Sequence, residues 1–69
     1  MTFGQKLRTF RIEKGMTVAE LAKFTGLSES AIKMYESGER KTPLPVAKMA
    51  LASALRCKPS DLDDDREEG

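Results

Sequence analysis

The sequence predicts an all-α domain folded as a compact five-helix bundle, and three observations support this prediction. A chain of 69 residues is long enough for one domain. At that length it buries only about 60% of its unfolded surface, which favours helices with mostly local contacts. Helix start signals recur along the chain, and the apolar residues after them are spaced so that one stripe of each helix faces inward.

The first helix is expected to run from Phe3 to about Lys14. Thr2 with Gln5 three residues later is the pattern of a capping box, and Gly15 follows the last turn as a stop signal. The inward face of this helix is then formed by the apolar residues Phe3, Leu7 and Phe10.

The stretch 17–38 organises the chain, because it predicts two short helices joined by a tight turn. Thr17 and Glu20 form the capping box of the second helix, and Met16 can pack on Leu21 one turn inside. In the third helix Ser28 is the cap, so that helix is expected to begin at Glu29.

These two helices are expected to pack as a helix-turn-helix over about residues 18–37. Gly26 lies between them and tolerates a left-handed backbone. A short connection makes the helices cross steeply, and the small Ala22 lets their backbones approach. The residues expected to face inward are Leu21, Ala22, Ile32 and Tyr35.

Nearly the whole chain, from about Phe3 to Leu62, resembles the Cro/C1-type (Xre family) helix-turn-helix DNA-binding domain of small phage and bacterial repressors. The resemblance rests on the stretch LRTFRIEKGMTVAELAKFTGLSESAIKMYESGER and on the apolar helix ending ALASAL that follows it. It implies a lambda-repressor-like domain over residues 1–62. It also implies sequence-specific binding of operator DNA.

In a helix-turn-helix the third helix is the element expected to enter the major groove. Lys33 can donate to guanine O6 and N7, Glu29 can accept from cytosine N4, and Met34 can pack on a thymine methyl group. The alternative is an ordinary solvated helix face. The residues of this helix expected to contact DNA are Ser28, Glu29, Ser30, Lys33 and Met34.

The loop after the third helix is expected to clamp the phosphate backbone, as it does in the resembling family. It carries two cations and a hydroxyl group in sequence, at Arg40, Lys41 and Thr42. Two prolines stiffen the chain beyond them. A basic loop that is merely solvated is the alternative interpretation.

The start of the second helix departs from the family pattern. Val18 replaces the glutamine that many relatives carry after the cap, so a phosphate contact of that side chain is absent. The backbone N–H groups at the helix start and the Thr17 hydroxyl can still meet phosphate. Phe24 occupies a position that is usually polar, and we expect it to turn inward in place of Thr25.

The resemblance also implies a structural ion pair between Arg11 and Glu36. Such a pair would lock the first helix to the end of the third, and it would be costly to break from one side only.

The helix from Val46 to Leu55 is apolar nearly all round, so we expect it to be buried on more than one side. One side closes the core, and the other is covered either by a partner chain or from within the bundle. Arg56 follows where relatives often carry glycine. A last short element at Pro59, anchored by Leu62, is counted as the fifth helix.

Charge divides the chain into a basic body and an acidic tail. Through Ser60 there are 11 cations and 5 anions, a net charge of +6. From Asp61 onward there are 1 cation and 6 anions, a net charge of −5. A basic body attracts phosphate, whereas residues 63–69 are expected to form a disordered tail.

Enzymatic chemistry finds little support in the sequence. Ser30 and Lys33 have the S-x-x-K spacing of an acyl-enzyme, but the large partner domain and further motifs of such enzymes are missing. There is no histidine and only one cysteine, Cys57, so we expect no metal and no cofactor. The lone cysteine and the lack of a signal peptide or a membrane span favour the cytoplasm.

The sequence therefore indicates a transcriptional regulator, most simply a repressor that binds a palindromic operator in double-stranded DNA as a homodimer. Two alternatives remain. The first is an antitoxin-like or bridging protein whose main partner is another protein, such as a toxin. In the second, the domain activates transcription by touching RNA polymerase.

Overall fold

A computed structural model describes residues 1–40 and 43–63 of the chain. Over these residues the protein is all-α, as predicted, and no strand occurs among them. Its elements are α1 (Phe3–Glu13), α2 (Val18–Thr25), α3 (Glu29–Ser37), α4 (Pro45–Ala54) and a 3-10 turn (Pro59–Leu62).

The predicted count of five helices is wrong, because the described residues form four α-helices and one short 3-10 turn. Pro59 opens that turn at a first-turn position, where proline is tolerated, so the limit on its length lies at the other end. Asp63 then adopts an extended backbone, with φ −66° and ψ 147°, which ends the turn after four residues.

Helix starts follow the predicted caps. In α1 the Gln5 carboxamide accepts from the Thr2 N–H at 2.9 Å, while the Thr2 hydroxyl accepts from the Gln5 N–H. Thr17 and Glu20 form the same reciprocal pair at α2, at 2.9 and 3.1 Å. These bonds satisfy backbone donors that no helix can satisfy from within.

Every element of the fold contributes a fully buried side chain to the core. Because each helix and the 3-10 turn contributes at least one leucine or isoleucine, the elements share one apolar centre. The largest of these side chains are Leu7, Leu21, Ile32, Leu51, Leu55 and Leu62. Cys57 is half-buried against this core, and burial raises the pKa of its thiol.

α1 and α3 cross at a point where only glycine fits. A Cβ atom on Gly4 would lie 2.0 Å from the backbone oxygen of Tyr35. Beside this crossing the rings of Phe3 and Tyr35 meet edge to face, with centroids 5.7 Å apart. The close approach of the two backbones therefore depends on Gly4, whose role the sequence pattern did not reveal.

α4 is buried on one side by its own chain, so among the described residues its other side is not covered from within the bundle. Leu51 and Ala52 lie in the core. Within the described part of the chain, three apolar residues at the start of α4 remain uncovered: Leu44, Val46 and Met49 are 78%, 79% and 60% exposed. We call these three residues the α4 patch.

The end of α2 also differs from expectation. Phe24 does not turn inward but is 72% exposed. Thr25 takes the inner position instead, and its hydroxyl donates to the Leu21 carbonyl at 2.8 Å and accepts from the Leu27 N–H at 3.2 Å. A polar side chain can occupy this half-buried site because its hydrogen bonds are satisfied by the backbone.

The C-terminal end of the described chain is fastened to two helices. The Lys6 ammonium group donates to the carbonyl oxygen of Asp63 at 2.7 Å, and Lys48 forms an ion pair with the Asp63 carboxylate. The predicted disordered tail covers residues 63–69: Asp63 is a described residue, and residues 64–69 lie outside the described part of the chain.

Candidate nucleic-acid interface

The candidate interface is built on the turn between α2 and α3. Gly26 ends α2 with φ +80° and ψ 3°, a left-handed conformation that glycine adopts without steric cost. Ser28 then begins α3, its hydroxyl oxygen accepting from the Ala31 N–H at 3.0 Å. Since this bond uses only the oxygen, the Ser28 O–H remains able to donate to a phosphate.

α3 separates cleanly into a buried and an exposed side. Ile32 and Tyr35 lie in the core. All five residues of this segment that the sequence assigns to DNA contacts are exposed, namely Ser28, Glu29, Ser30, Lys33 and Met34. Their spacing of three and four residues brings them together on one surface of the helix.

This surface combines four kinds of recognition chemistry. Lys33 supplies a cationic donor, Glu29 an acceptor, Ser30 a group that can do either, and Met34 an apolar contact. Met34 is 37% exposed, so part of its thioether side chain is packed and part is accessible. A surface of this composition can read the hydrogen-bonding edges of bases in a major groove.

The start of α2 lies at the second position expected to meet DNA. Thr17 is exposed, and its hydroxyl oxygen already accepts from Glu20. The backbone N–H groups of Val18 and Ala19 belong to the first turn, where no helical acceptor exists. They are the groups that could donate to a phosphate at this end of the helix, together with the Thr17 O–H.

Arg40, one of the predicted phosphate contacts in the loop after α3, is exposed and stacks on a ring of the core. The Arg40 guanidinium carbon lies 5.7 Å from the centroid of the Tyr35 ring, a cation–π contact. The Arg40 N–H also donates to the Met34 carbonyl at 3.1 Å. Lys41 and Thr42, the other two predicted contacts of this loop, lie outside the described residues.

Arg11 and Glu36 hold α3 against α1. The Arg11 Nε donates to one Glu36 carboxylate oxygen at 2.7 Å and Nη2 to the other at 3.1 Å. The Arg11 Nη1 donates to the Met16 carbonyl at 2.8 Å. The hydrogen bond with Glu36 raises the pKa of Arg11, so the guanidinium stays charged. The pair therefore joins α1, the segment before α2 and the end of α3.

Sequence reasoning missed two features of this region. The stacking of Arg40 on Tyr35 spans the end of α3, where helical spacing no longer predicts which side chains meet. The exposure of Phe24 could have been found. Leu21 and Thr25 are four residues apart and share the inward side of α2, which leaves Phe24 outside it.

Comparison with known proteins identifies the fold family. The helix-turn-helix family, of the Cro/C1 (Xre) type, matches residues 7–62, which is most of the chain. The chain belongs to this family. It is a family of DNA-binding transcription regulators and not a class of enzymes.

The Cro/C1-type domain has relatives among curated proteins and solved structures. It is 40% identical over 55 residues to the HTH-type transcriptional repressor RghR of Bacillus subtilis, covering 80% of this chain but 41% of RghR. The chain thus spans less than half the length of that relative.

Two solved structures resemble the domain over most of both chains. The restriction-modification controller protein C.AhdI of Aeromonas hydrophila is 40% identical, with a TM-score of 0.81 over 87% of this chain and 89% of the other. The P22 c2 repressor, bound to a synthetic operator, is 32% identical, with a TM-score of 0.85 over 91% and 94%. No helix of the described residues is long and apolar enough to cross a membrane.

Proposed function

We propose that this Cro/C1-type domain represses transcription by binding a palindromic operator as a two-fold dimer, with the start of α3 in the major groove. The observation that carries the proposal is the exposed surface of α3. Donor, acceptor and apolar groups lie together there on a helix whose other side is fixed in the core.

Sequence preference would come from the side chains that reach base edges. Lys33 is the best candidate for guanine, because its ammonium group can donate to both O6 and N7. Glu29 favours cytosine N4 and Met34 favours the thymine methyl group. Ser30 can adjust to either a donor or an acceptor. These four residues form the proposed readout set.

Phosphate contacts would position the domain without reading sequence. The hydroxyl groups of Thr17 and Ser28 and the guanidinium of Arg40 are exposed at the edges of α2 and α3. Lys41 and Thr42 complete this proposed set from the sequence alone. The net charge of +6 through Ser60 supports the attraction that such contacts need.

The α4 patch is the surface best suited to join two copies. One helix-turn-helix reads only a few base pairs, so a two-fold partner is needed for useful specificity. The recognition helices would then lie about 34 Å apart, one turn of DNA. Three exposed apolar residues make a small interface, and interfaces well below about 1,000 Å² are typically transient. DNA would then complete the dimer.

Repression is the sign of regulation best supported by the relatives. RghR is named a transcriptional repressor, and the P22 c2 repressor is seen on a synthetic operator. A protein that occupies an operator blocks access to the same DNA, and this needs no further partner.

Selection of bound duplexes from a random DNA pool tests the proposal. A consensus with two-fold symmetry and half-sites centred about 10 base pairs apart is expected. Loss of Lys33 should cost about 1–3 kcal/mol on the consensus and little on random DNA, because a base contact specifies sequence.

Two matched lysine variants control this experiment. Lys41→Ala should weaken binding alike on all duplexes, whereas Lys58→Ala, at the 3-10 turn, should change neither affinity. Failure to recover any consensus would contradict the proposal. Equal losses on consensus and random DNA for Lys33→Ala would remove Lys33 from the readout set.

A further inference from the structure

A groove of about 780 Å³ lies between α2 and α4 at the end of α1, apart from the surface of α3. We call it the α2–α4 groove. Four of its lining side chains are apolar, one is a serine and two are cations. They are Met16, Phe24, Ala50, Ala54, Ser53, Lys14 and Arg56.

Among the described residues, Phe24 is the one aromatic residue on the lining of this groove. Its ring is 72% exposed, although an aromatic side chain contributes more than most when it is buried. The fold does not need this ring in the core, because Thr25 fills the inner position and its hydroxyl group donates to the Leu21 carbonyl. The exposed ring offers an apolar contact in a groove whose lining is otherwise a mixture of apolar and polar groups.

We propose that the α2–α4 groove binds an amphipathic helix of a partner protein whose apolar stripe is flanked by acidic residues. A groove between two helices accepts a third helix by taking up its apolar side. The alanines at positions 50 and 54 leave space beside Phe24 for large apolar side chains of the incoming helix.

The charge of the groove selects the kind of partner. Lys14 and Arg56 both line it, so acidic residues beside the apolar stripe would meet two cations. The body of a second copy has a net charge of +6 through Ser60, so seating it in this cationic groove would bring like charges together. An acidic partner is favoured over self-association for this reason.

The backbone at Arg56 ends α4. Its φ of +56° lies in the left-handed region, where a residue other than glycine is strained by about 1–2 kcal/mol. The Arg56 N–H donates to the Ser53 carbonyl at 3.2 Å and the Cys57 N–H to the Ala52 carbonyl at 2.9 Å, the pattern of a helix C-terminus. This helix end places the guanidinium group on the lining of the groove.

A partner in this groove would leave the exposed surface of α3 free, because none of the described residues that line it belongs to α3. Lys23 and Ala19 of α2 line a shallow depression against Glu29 at the start of α3. With 3.6 residues per turn, Phe24 points about 100° away from Lys23 and about 140° away from Ala19. The groove therefore opens to a different side of α2, and the proposal does not depend on the proposed DNA binding.

Titration of the isotope-labelled protein with a designed peptide tests this inference. The probe is a helical peptide of about 14 residues, four turns, with a leucine stripe flanked by glutamates. Its counterpart carries lysines in place of the glutamates. The acidic peptide should cause saturable NMR shifts centred on Phe24, Ala50 and Arg56, and it should bind at least about tenfold more tightly than its counterpart.

Two variants of the protein complete the test. Phe24→Ser should weaken the acidic peptide by about tenfold while its circular dichroism stays unchanged, because the ring is exposed. Ile12→Ser, a change of an exposed apolar residue on α1 that does not line the groove, is the matched control and should bind the peptide as the parent does.

Three results would overturn the inference. Equal binding of the two peptides would show that charge does not select the partner. NMR shifts centred on other residues would show that the groove is not the binding site. If sedimentation showed that Phe24→Ser alters self-association of the free chain, the groove would be an interface between copies instead.

Discussion

The junction of α1 with α3 and the outer side of α4 are both formed by short helices that carry apolar residues. They differ in how far these residues are covered by the rest of the chain. At the junction the chain completes its own contacts. Gly4 allows the backbones to meet, and the Arg11–Glu36 pair has only 14% and 10% of its side chains exposed. On α4 the apolar side chains of Val46 and Met49 remain uncovered.

This difference separates folding from assembly. Contacts that one chain makes with itself determine whether the domain folds, because a single copy of the protein forms them without a partner. Uncovered apolar residues contribute little to the stability of one copy, but they are available to a second. Substitutions at the junction should therefore change the free energy of unfolding, and substitutions in the α4 patch should change binding.

The largest effect is expected for Gly4→Ala. The added Cβ would overlap the Tyr35 carbonyl oxygen, which belongs to the backbone and cannot swing aside. Urea denaturation should show a loss of about 3 kcal/mol in the free energy of unfolding. Arg8→Ala on the exposed side of α1 is the control, with a change within about 0.5 kcal/mol. A tolerated Gly4→Ala would mean that the helices can separate at little cost.

The Arg11–Glu36 pair should rank next. Each single alanine change should destabilise the fold by about 2 kcal/mol, less than the limit for a fully buried pair because both side chains keep some contact with solvent. The double change should cost less than the sum of the two, since it leaves no unpaired charge. Thermal melting of all four proteins measures this, and strictly additive losses would show that the pair does not couple the helices.

Arg56→Gly should act in the opposite direction. Glycine relieves the positive φ at this position, while its flexibility in the unfolded chain offsets part of the gain. We expect a stabilisation of up to about 1 kcal/mol by urea denaturation. Arg56→Ala removes the same charge but keeps the Cβ atom, so it should leave stability nearly unchanged. If both variants stabilise equally, charge and not backbone strain is responsible.

The smallest effect on stability is expected in the α4 patch. Val46→Ser and Met49→Ser should each change the free energy of unfolding by no more than about 0.5 kcal/mol, because both side chains are largely exposed. Because the proposed operator complex holds two copies, the same variants should weaken binding to the selected operator. A large loss of stability in either variant would show that the residue contributes to folding of the single chain. It would contradict the difference drawn between the α4 patch and the junction of α1 with α3.

The parts of this fold that were predictable from sequence are those with local causes. The caps at Thr2, Thr17 and Ser28 lie within a few residues of the groups they satisfy, so their patterns are visible in the sequence. Gly4 was not recognised, because its constraint comes from Tyr35, far away in the chain.

Two other features were only partly predictable. The apolar residues of α4 predicted burial on more than one side, but which of them are covered within one chain depends on how the other helices pack. The fifth helix was expected from Pro59 and an anchoring leucine, yet the segment makes only a single 3-10 turn. For the proposed DNA site, sequence indicated which residues are exposed on α3. Their contacts with bases remain a prediction.

The most direct test of the account is sedimentation of the protein with a single duplex carrying the selected operator. The α4 patch should join two copies on adjacent turns of the DNA, so we expect two chains per duplex at saturation, and Val46→Ser should reduce the cooperativity of their binding. One chain per duplex at saturation, with full sequence preference, would contradict the dimer and the role of the α4 patch together.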